Sequence, residues 1–286
     1  MDGIINVYKP VGMTSHDVVY KVRRITGIKK VGHTGTLDPD ADGVLPICIG
    51  KGTRLSDMLT FSDKRYTAVM RLGITTDTLD LSGNVLETKS VDVQEEEIRL
   101  AVSRFVGEIT QVPPMYSAVK VGGKKLYELA RKGIEVERKP RKVTVYDIKI
   151  LGIEGNDVSL DIFCSKGTYI RSICADIGDV LRCGAAVARL TRTQSSVFKI
   201  GDSVTLETLE EGNIKQYLTA VDEMFEYPKV YVDFEQAKKI KNGCSVKMCG
   251  LKAGQHYRVY DENNDFLCIS KESNGCLVLV KSFYGG

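Results

Sequence analysis

The sequence predicts an α+β protein, with one large mixed domain over residues 1–227 and a small β-rich module over 228–286. Three observations carry this. The chain of 286 residues exceeds the usual size of a single domain. Up to Glu226, segments with helical apolar spacing are interspersed with segments that alternate as strands do. From Lys229 the texture changes to short strands punctuated by the turns NGC, DENND and SNG, with Tyr227-Pro228 as the boundary.

In order, Ile4–Tyr8 reads as a strand closed by Lys9-Pro10. Thr14 or Ser15 caps a helix whose Val18, Val19, Val22 and Ile25 share a face, and Gly27 stops it. Val44–Ile49 is an apolar strand, Thr53–Phe61 a short helix, and Tyr66–Leu72 a strand with Tyr66, Ala68, Met70 and Leu72 on one side. Glu95, Glu96 and Glu97 suit the first turn of a helix running to Val106. A basic, glycine-bearing segment at about 120–142 has only a short helical pattern around Leu126–Ala130. Asp157–Cys164 alternates cleanly and SKGT turns the chain into a helix with Ile170, Ile173, Cys174, Ile177 and Leu181 inward. Tyr169 and Arg171 are expected on its flanks. Ala186–Phe198 supplies another strand. In the module, strands fall at Val230–Val232, Tyr257–Tyr260, Phe266–Ile269 and Cys276–Val280, with a helix at Gln236–Lys241. A module this small should dock on the larger domain.

Hydrophobic content of 43% and charged content of 27% are those of a globular protein. No stretch has the length or composition of a membrane span or secretory signal, so a cytoplasmic protein without membrane attachment is expected. Eight cysteines with no C-x-x-C pair, and only three histidines, favour reduced thiols over disulfides or zinc. The net charge is only +3, but its distribution is uneven. Lys120 to Lys142 holds nine Lys/Arg against three Glu, whereas Asp202 to Glu226 has Lys215 as its one cation. Such a limb on a nearly neutral body suits a local encounter with phosphates; taken alone it would read as a solvated loop.

The most informative stretch is Val31–Pro46, VGHTGTLDPDADGVLP. Its glycines permit left-handed backbone or close approach, and Pro39 holds Asp38 extended just before a buried strand. This is a mount for a reactive carboxylate. Asp38, Asp40, Asp42 and Gly43 match the opening of a calcium loop, but the twelfth position is Ile49 instead of a bidentate Glu. Gly50-Lys51-Gly52-Thr53 lacks the upstream glycine of a phosphate loop, and neither G-x-S-x-G nor H-E-x-x-H occurs. A cation at Arg171, in a first helical turn, opposes the helix dipole and calls for an anionic partner.

GHTGTLDPDADGVLP resembles, nearly residue for residue, the active-site motif of the bacterial tRNA pseudouridine synthase B (TruB) family. YKPVGMTS, DKRYTAVMRLG, QVPPMYSAVKVGGKKLYELARKGIEV, CSKGTYIRSI and CGAAVARLTRTQSSVF extend the resemblance in order along most of the chain. It implies a mixed, largely antiparallel sheet of the pseudouridine synthase fold, followed by a small β-barrel-like PUA domain. It implies isomerisation of uridine 55 in the T-arm loop of tRNA, with Asp38 as nucleophile, Tyr66 stacked on the uracil and Arg171 paired with Asp38. Tyr169 and Leu190 would wall the uridine pocket, and His33 would meet RNA where nucleotides leave the stack. Lys9 and Pro10 would support the loop. The cations of the limb, among them Lys120, Lys124, Lys125, Arg131 and Lys132, would clamp RNA, and the module would reach the acceptor side. The implied enzyme works as a monomer without guide RNA and needs no metal or cofactor, because the reaction has no redox step and loses no leaving group. Thr36, Asp40 and Asp42 depart from many relatives without touching a matched catalytic position. Two rival readings are a guide-RNA-dependent relative of the dyskerin type and a tRNA-binding chaperone in which chemistry is incidental.

Overall fold

The computed structural model describes residues 1–285, and its main sheet has ten strands. Eight of them follow one path: Leu218–Thr219, Gly3–Lys9, Asp42–Ile49, Ala185–Ser195, Lys64–Leu72, Asp157–Cys164, Arg141–Glu154 and Gly107–Gln111. Val31–His33 and Phe198–Lys199 attach beside this path. Every pairing in the sheet is antiparallel except one, where Thr191 faces Asp42 and Arg192 faces Gly43. The expected mixed, largely antiparallel sheet is therefore present.

Its single parallel junction is short for a steric reason. Gly43 has φ of +105°, and a Cβ there would come 2.3 Å from the Arg192 carbonyl oxygen, so only glycine lets the strands meet. A cleft lined in part by Arg192 opens beside this junction.

Helices cover the sheet where their apolar stripes demand it. Ser15–Thr26 is capped by the Thr14 side chain and ended by left-handed Gly27, as its sequence foretells, and it buries Val18, Val19 and Val22 over the first strands. Ile170–Val180 and Glu95–Ser103 pack over the other half against Met70, Leu160 and Ile162.

Local expectations fail where tertiary pairing intervenes. The Glu95 helix stops at Ser103, because Gly107 opens a strand that pairs with residues 141–145. Thr53–Phe61 divides into a 3-10 turn, Gly50–Leu55, and a short α-helix, Ser56–Thr60. The 14-residue strand Arg141–Glu154 was not expected; bulges near Val145/Asp147 and Ile150/Gly152 break its alternation, so period-two reading misses it. Arg171, expected on a helix flank, keeps only 7% of its side-chain exposure.

The small module forms a five-stranded sheet, Lys229–Tyr231, His256–Tyr260, Phe266–Ser273, Cys276–Ser282 and Val246–Lys247, with helix Phe234–Lys241. Its first and last strands do not pair with each other, so the barrel is open. It docks as its size requires. Ile269 and Phe283 share a core with Ile4, Val44, Cys48 and Phe225. Arg54 donates to the carbonyls of Ser282 and Tyr284 at 3.0 and 2.9 Å, and Tyr260 donates to Asp222 at 2.6 Å. All eight cysteines are free thiols, five of them buried. Among the described residues no helix is long and apolar enough to cross a membrane.

Candidate active site

A cleft of about 290 Å³ gathers five residues that the sequence singles out: Asp38, Tyr66, Tyr169, Arg171 and Leu190. They come from the glycine-rich loop, two adjacent strands and the start of a helix. A larger cleft of about 530 Å³ lies between the module and the body; four aspartates, Asp2, Asp222, Asp261 and Asp265, line it with two lysines, Lys51 and Lys241, so its lining is acidic on balance.

At the centre of the smaller cleft the Arg171 guanidinium lies 2.8 Å from the Asp38 carboxylate and 3.2 Å from that of Asp80. It also donates to the carbonyls of Thr78 and Tyr116, each at 2.8 Å. Both terminal nitrogens of the buried cation thereby have two oxygen neighbours each, as burial of a charge demands. The anionic partner expected from its place in the first helical turn is thus two carboxylates. Asp80 is itself fixed, since its Oδ1 accepts from the hydroxyls of Thr78 and Ser82 at 2.7 and 2.6 Å.

Asp38 keeps 40% of its side-chain exposure. Burial pushes its carboxyl up from the ordinary value, Arg171 pulls it down, and the charges of Asp80 and Asp40 push it up again; the net direction is upward. The other loop aspartates serve elsewhere. Asp42 is buried and accepts from Tyr8 at 2.8 Å, while Asp40 faces solvent, so the three do not converge on one cation.

The loop is held from beneath by two buried cations. Lys9 Nζ donates to the carbonyls of Pro10, Met13 and Pro39, matching the supporting role expected of it, and burial lowers its pKa to about 8. Arg192, 1% exposed, donates to the carbonyls of Val44, Thr36 and Gly35 at 2.7, 3.3 and 3.2 Å. Gln111, 2% exposed, clamps the neighbouring helix start: its carbonyl accepts from Tyr169 N–H at 2.8 Å and its amide donates to Tyr169 C=O at 2.9 Å. Lys64 lines the cleft and donates to the carbonyls of Thr60 and Ser62 at 2.7 and 2.5 Å. Sequence reasoning missed Asp80, Gln111, Lys64 and Arg192 as site residues. Only for Arg171, through the helix dipole, did a signal point toward one of them.

His33 does not line the cleft but lies two residues before Gly35, which does. Its Nδ1 accepts from Gly35 N–H at 3.2 Å, and burial, with the charges of His16 and Arg192, lowers its pKa to about 4. It is a neutral ring. Lys120, Lys124, Arg131 and Lys132 are exposed on the inserted limb. Lys125 is half-buried with its ammonium 5.4 Å from the centre of the Tyr127 ring, and the Arg131 guanidinium lies 5.5 Å from the same ring. The limb's hairpin, Lys120–Val121 with Lys124–Lys125, therefore presents Lys120 and Lys124 freely. Its root joins the site, because Ser117 and Ala118 line the cleft and Tyr116 holds Arg171.

Comparison with known proteins gives the family. Residues 23–170 match the model of the TruB family pseudouridylate synthase N-terminal domain, and 171–226 that of the tRNA pseudouridylate synthase B C-terminal domain. The module beyond 226 lies outside both matched ranges. tRNA pseudouridine synthase B of Clostridium kluyveri is 50% identical over 99% of this chain and all of its own length. The protein of that name from Clostridium novyi is 48% identical over 98% of this chain and 99% of its own. A crystal structure of a Cbf5-Nop10-Gar1 complex contains a chain with TM-score 0.72 and 29% identity, matched over 99% of this chain and 85% of that one. An H/ACA RNP bound to a substrate RNA containing 2'-deoxyuridine gives TM-score 0.70 at 26% identity, over 99% and 85%. A cleft built around a carboxylate–guanidinium pair, on a fold and sequence shared with these proteins, identifies the chain as a member of the TruB family of pseudouridylate synthases, and hence as an isomerase.

Proposed function

We propose that this enzyme isomerises uridine 55 in the T-arm loop of tRNA, with Asp38 as the nucleophile. The observation that carries this is the Asp38–Arg171 pair at 2.8 Å in a cleft it shares with Tyr66, Tyr169 and Leu190. The substrate reading draws on the tRNA pseudouridine synthases to which the chain is similar along nearly its whole length.

The reaction breaks the N1–C1′ bond, turns the uracil and joins C5 to C1′. C5 loses a proton and N1 gains one, so atoms and charge balance with no redox step. The ionised carboxylate forms a transient bond to the substrate, at C1′ or at C6, and then departs. Arg171, always charged, fixes the carboxylate's orientation. A paired nucleotide cannot reach such a cleft and must leave its stack, at a cost of a few kcal/mol. Stacking on Tyr66 returns roughly 1–3 kcal/mol of this. Tyr169 and Leu190 enclose the base, and neutral His33 meets the RNA that stays outside. Arg171, Arg192 and Lys64 outnumber the carboxylates of Asp38 and Asp80 around the cleft, which suits an anionic polymer.

The limb at about 120–142 grips RNA without a guide, Lys120, Lys124, Lys125, Arg131 and Lys132 supplying salt-dependent affinity. The module at 228–286, PUA-like in its open sheet, contacts the acceptor side, and the monomer suffices. Release of tritium from C5-labelled uridine in an unmodified tRNA transcript, with no guide RNA or protein partner, tests the whole reading. Mapping must then find the change at uridine 55. Asp38→Asn should abolish release while tRNA still binds. Product from that variant would remove Asp38 from its role, and wild-type activity that appears only with a guide would favour the dyskerin-type reading.

A further inference from the structure

At the mouth of the cleft, outside its lining, sits an aromatic ring that the reaction described above does not use. Phe61 follows the helix Ser56–Thr60 and is 61% exposed. Lys166, exposed in the turn after strand Asp157–Cys164, places its ammonium 3.8 Å from the centre of that ring. Thr60 on one side of Phe61, and Ser165 and Gly167 on either side of Lys166, all line the cleft. The pair thus stands one residue outside the cleft wall on two separate segments.

Both segments are firmly mounted. Lys64 ties the carbonyls of Thr60 and Ser62, around Phe61. Ser165 Oγ accepts from Thr144 N–H at 2.9 Å, and Thr168 Oγ1 donates to the Ser165 carbonyl at 2.9 Å. A rigid loop that holds a phenylalanine in water, where its burial term is forgone, offers a preformed stacking face. The adjacent ammonium makes the same spot attractive to phosphate.

We propose that Phe61 and Lys166 form a second RNA subsite, which receives the nucleotide adjoining the flipped uridine, its base on the Phe61 ring and its phosphate on the Lys166 ammonium. Two features select RNA as the occupant. The pair is continuous with the cleft that takes the target nucleotide, and its charge complements a polynucleotide. The inference rests on the proposed function, since it needs a flipped nucleotide in the cleft.

The test uses the full-length protein and a tRNA transcript. Phe61→Ala should weaken binding by about 5- to 160-fold, the range of base–aromatic stacking, and Phe61→Trp should retain it. Lys166→Ala should weaken binding and flatten its salt dependence by about one phosphate contact. In both alanine variants the loss in affinity should exceed the loss in saturating rate. A transcript lacking the base at either neighbour of uridine 55 completes the cycle: at one of the two positions, Phe61→Ala should add little to the loss from the missing base. Unaltered affinity in the alanine variants, losses that add fully at both positions, or a fall confined to saturating rate would each overturn the subsite. Binding is measured separately from tritium release, so a wild type that binds with these dependences but releases no tritium would refute the catalytic reading and leave the subsite standing.

Discussion

Replacing Asp80 with asparagine removes one charge from the site while preserving its shape. Asp80 and Arg171 lie 3.2 Å apart with 14% and 7% of their side chains exposed. At an effective dielectric of about 20, unit charges at that separation interact by about 5 kcal/mol. Part of this is offset by the solvation both groups gave up on burial. Asparagine still accepts from Arg171, and the carbonyls of Thr78 and Tyr116 remain in place. We therefore expect a loss near 1.4–2.7 kcal/mol in transition-state stabilisation, or about 10- to 100-fold in the single-turnover rate. The pH profile carries the sharper signature. On the proposed mechanism Asp38 reacts as the carboxylate, so the rate should fall as pH drops through its pKa, and burial places that acid limb above the ordinary aspartate value. The charge of Asp80 contributes to the upward shift, so removing it should move the limb to lower pH even as the plateau rate falls. Rapid-quench tritium release across the acid range measures both quantities. A limb that stays in place or moves up, with the plateau preserved, would refute the account of Arg171 as a cation shared between two carboxylates.

Three other perturbations probe the supports of the site. Arg192→Met leaves the carbonyls of Gly35, Thr36 and Val44 without their donor, which should cost about 2–4 kcal/mol and lower Tm by several degrees, and should slow turnover; an unchanged melting curve would contradict the role. Gln111→Ala frees the backbone of Tyr169 and should cut saturating rate about 10-fold with little change in RNA affinity. In Gln111→Glu the carboxyl can donate to the Tyr169 carbonyl only when protonated, so its rate relative to wild type should rise as pH falls, and a constant ratio would count against the clamp. His33, lowered to about 4, should stay neutral, its imidazole NMR signals flat from about pH 5.5 upward, whereas titration near the ordinary histidine value would mean the ring is not buried.

How far the sequence reaches depends on the range of the interaction involved. Helix Ser15–Thr26 was legible from Thr14 to Gly27 because capping and apolar spacing act over three or four residues. The inward stripe of Ile170–Val180 was legible for the same reason. The glycine-rich loop announced Asp38 as a mounted carboxylate, and the matched motifs named its companions. Strand Arg141–Glu154 escaped, since its bulges are set by the neighbours it pairs with.

By itself the sequence determined most of the local elements, the largely antiparallel sheet and the family to which the chain belongs. The tertiary structure decided how the residues of the cleft are held. Arg171 meets Asp80 across 91 positions, Gln111 meets Tyr169 across 58, and Arg192 reaches Val44 across 148. No local pattern encodes such partners. They are fixed when buried charges and amides, stripped of water by packing, must find the one arrangement of carbonyls and carboxylates that satisfies them.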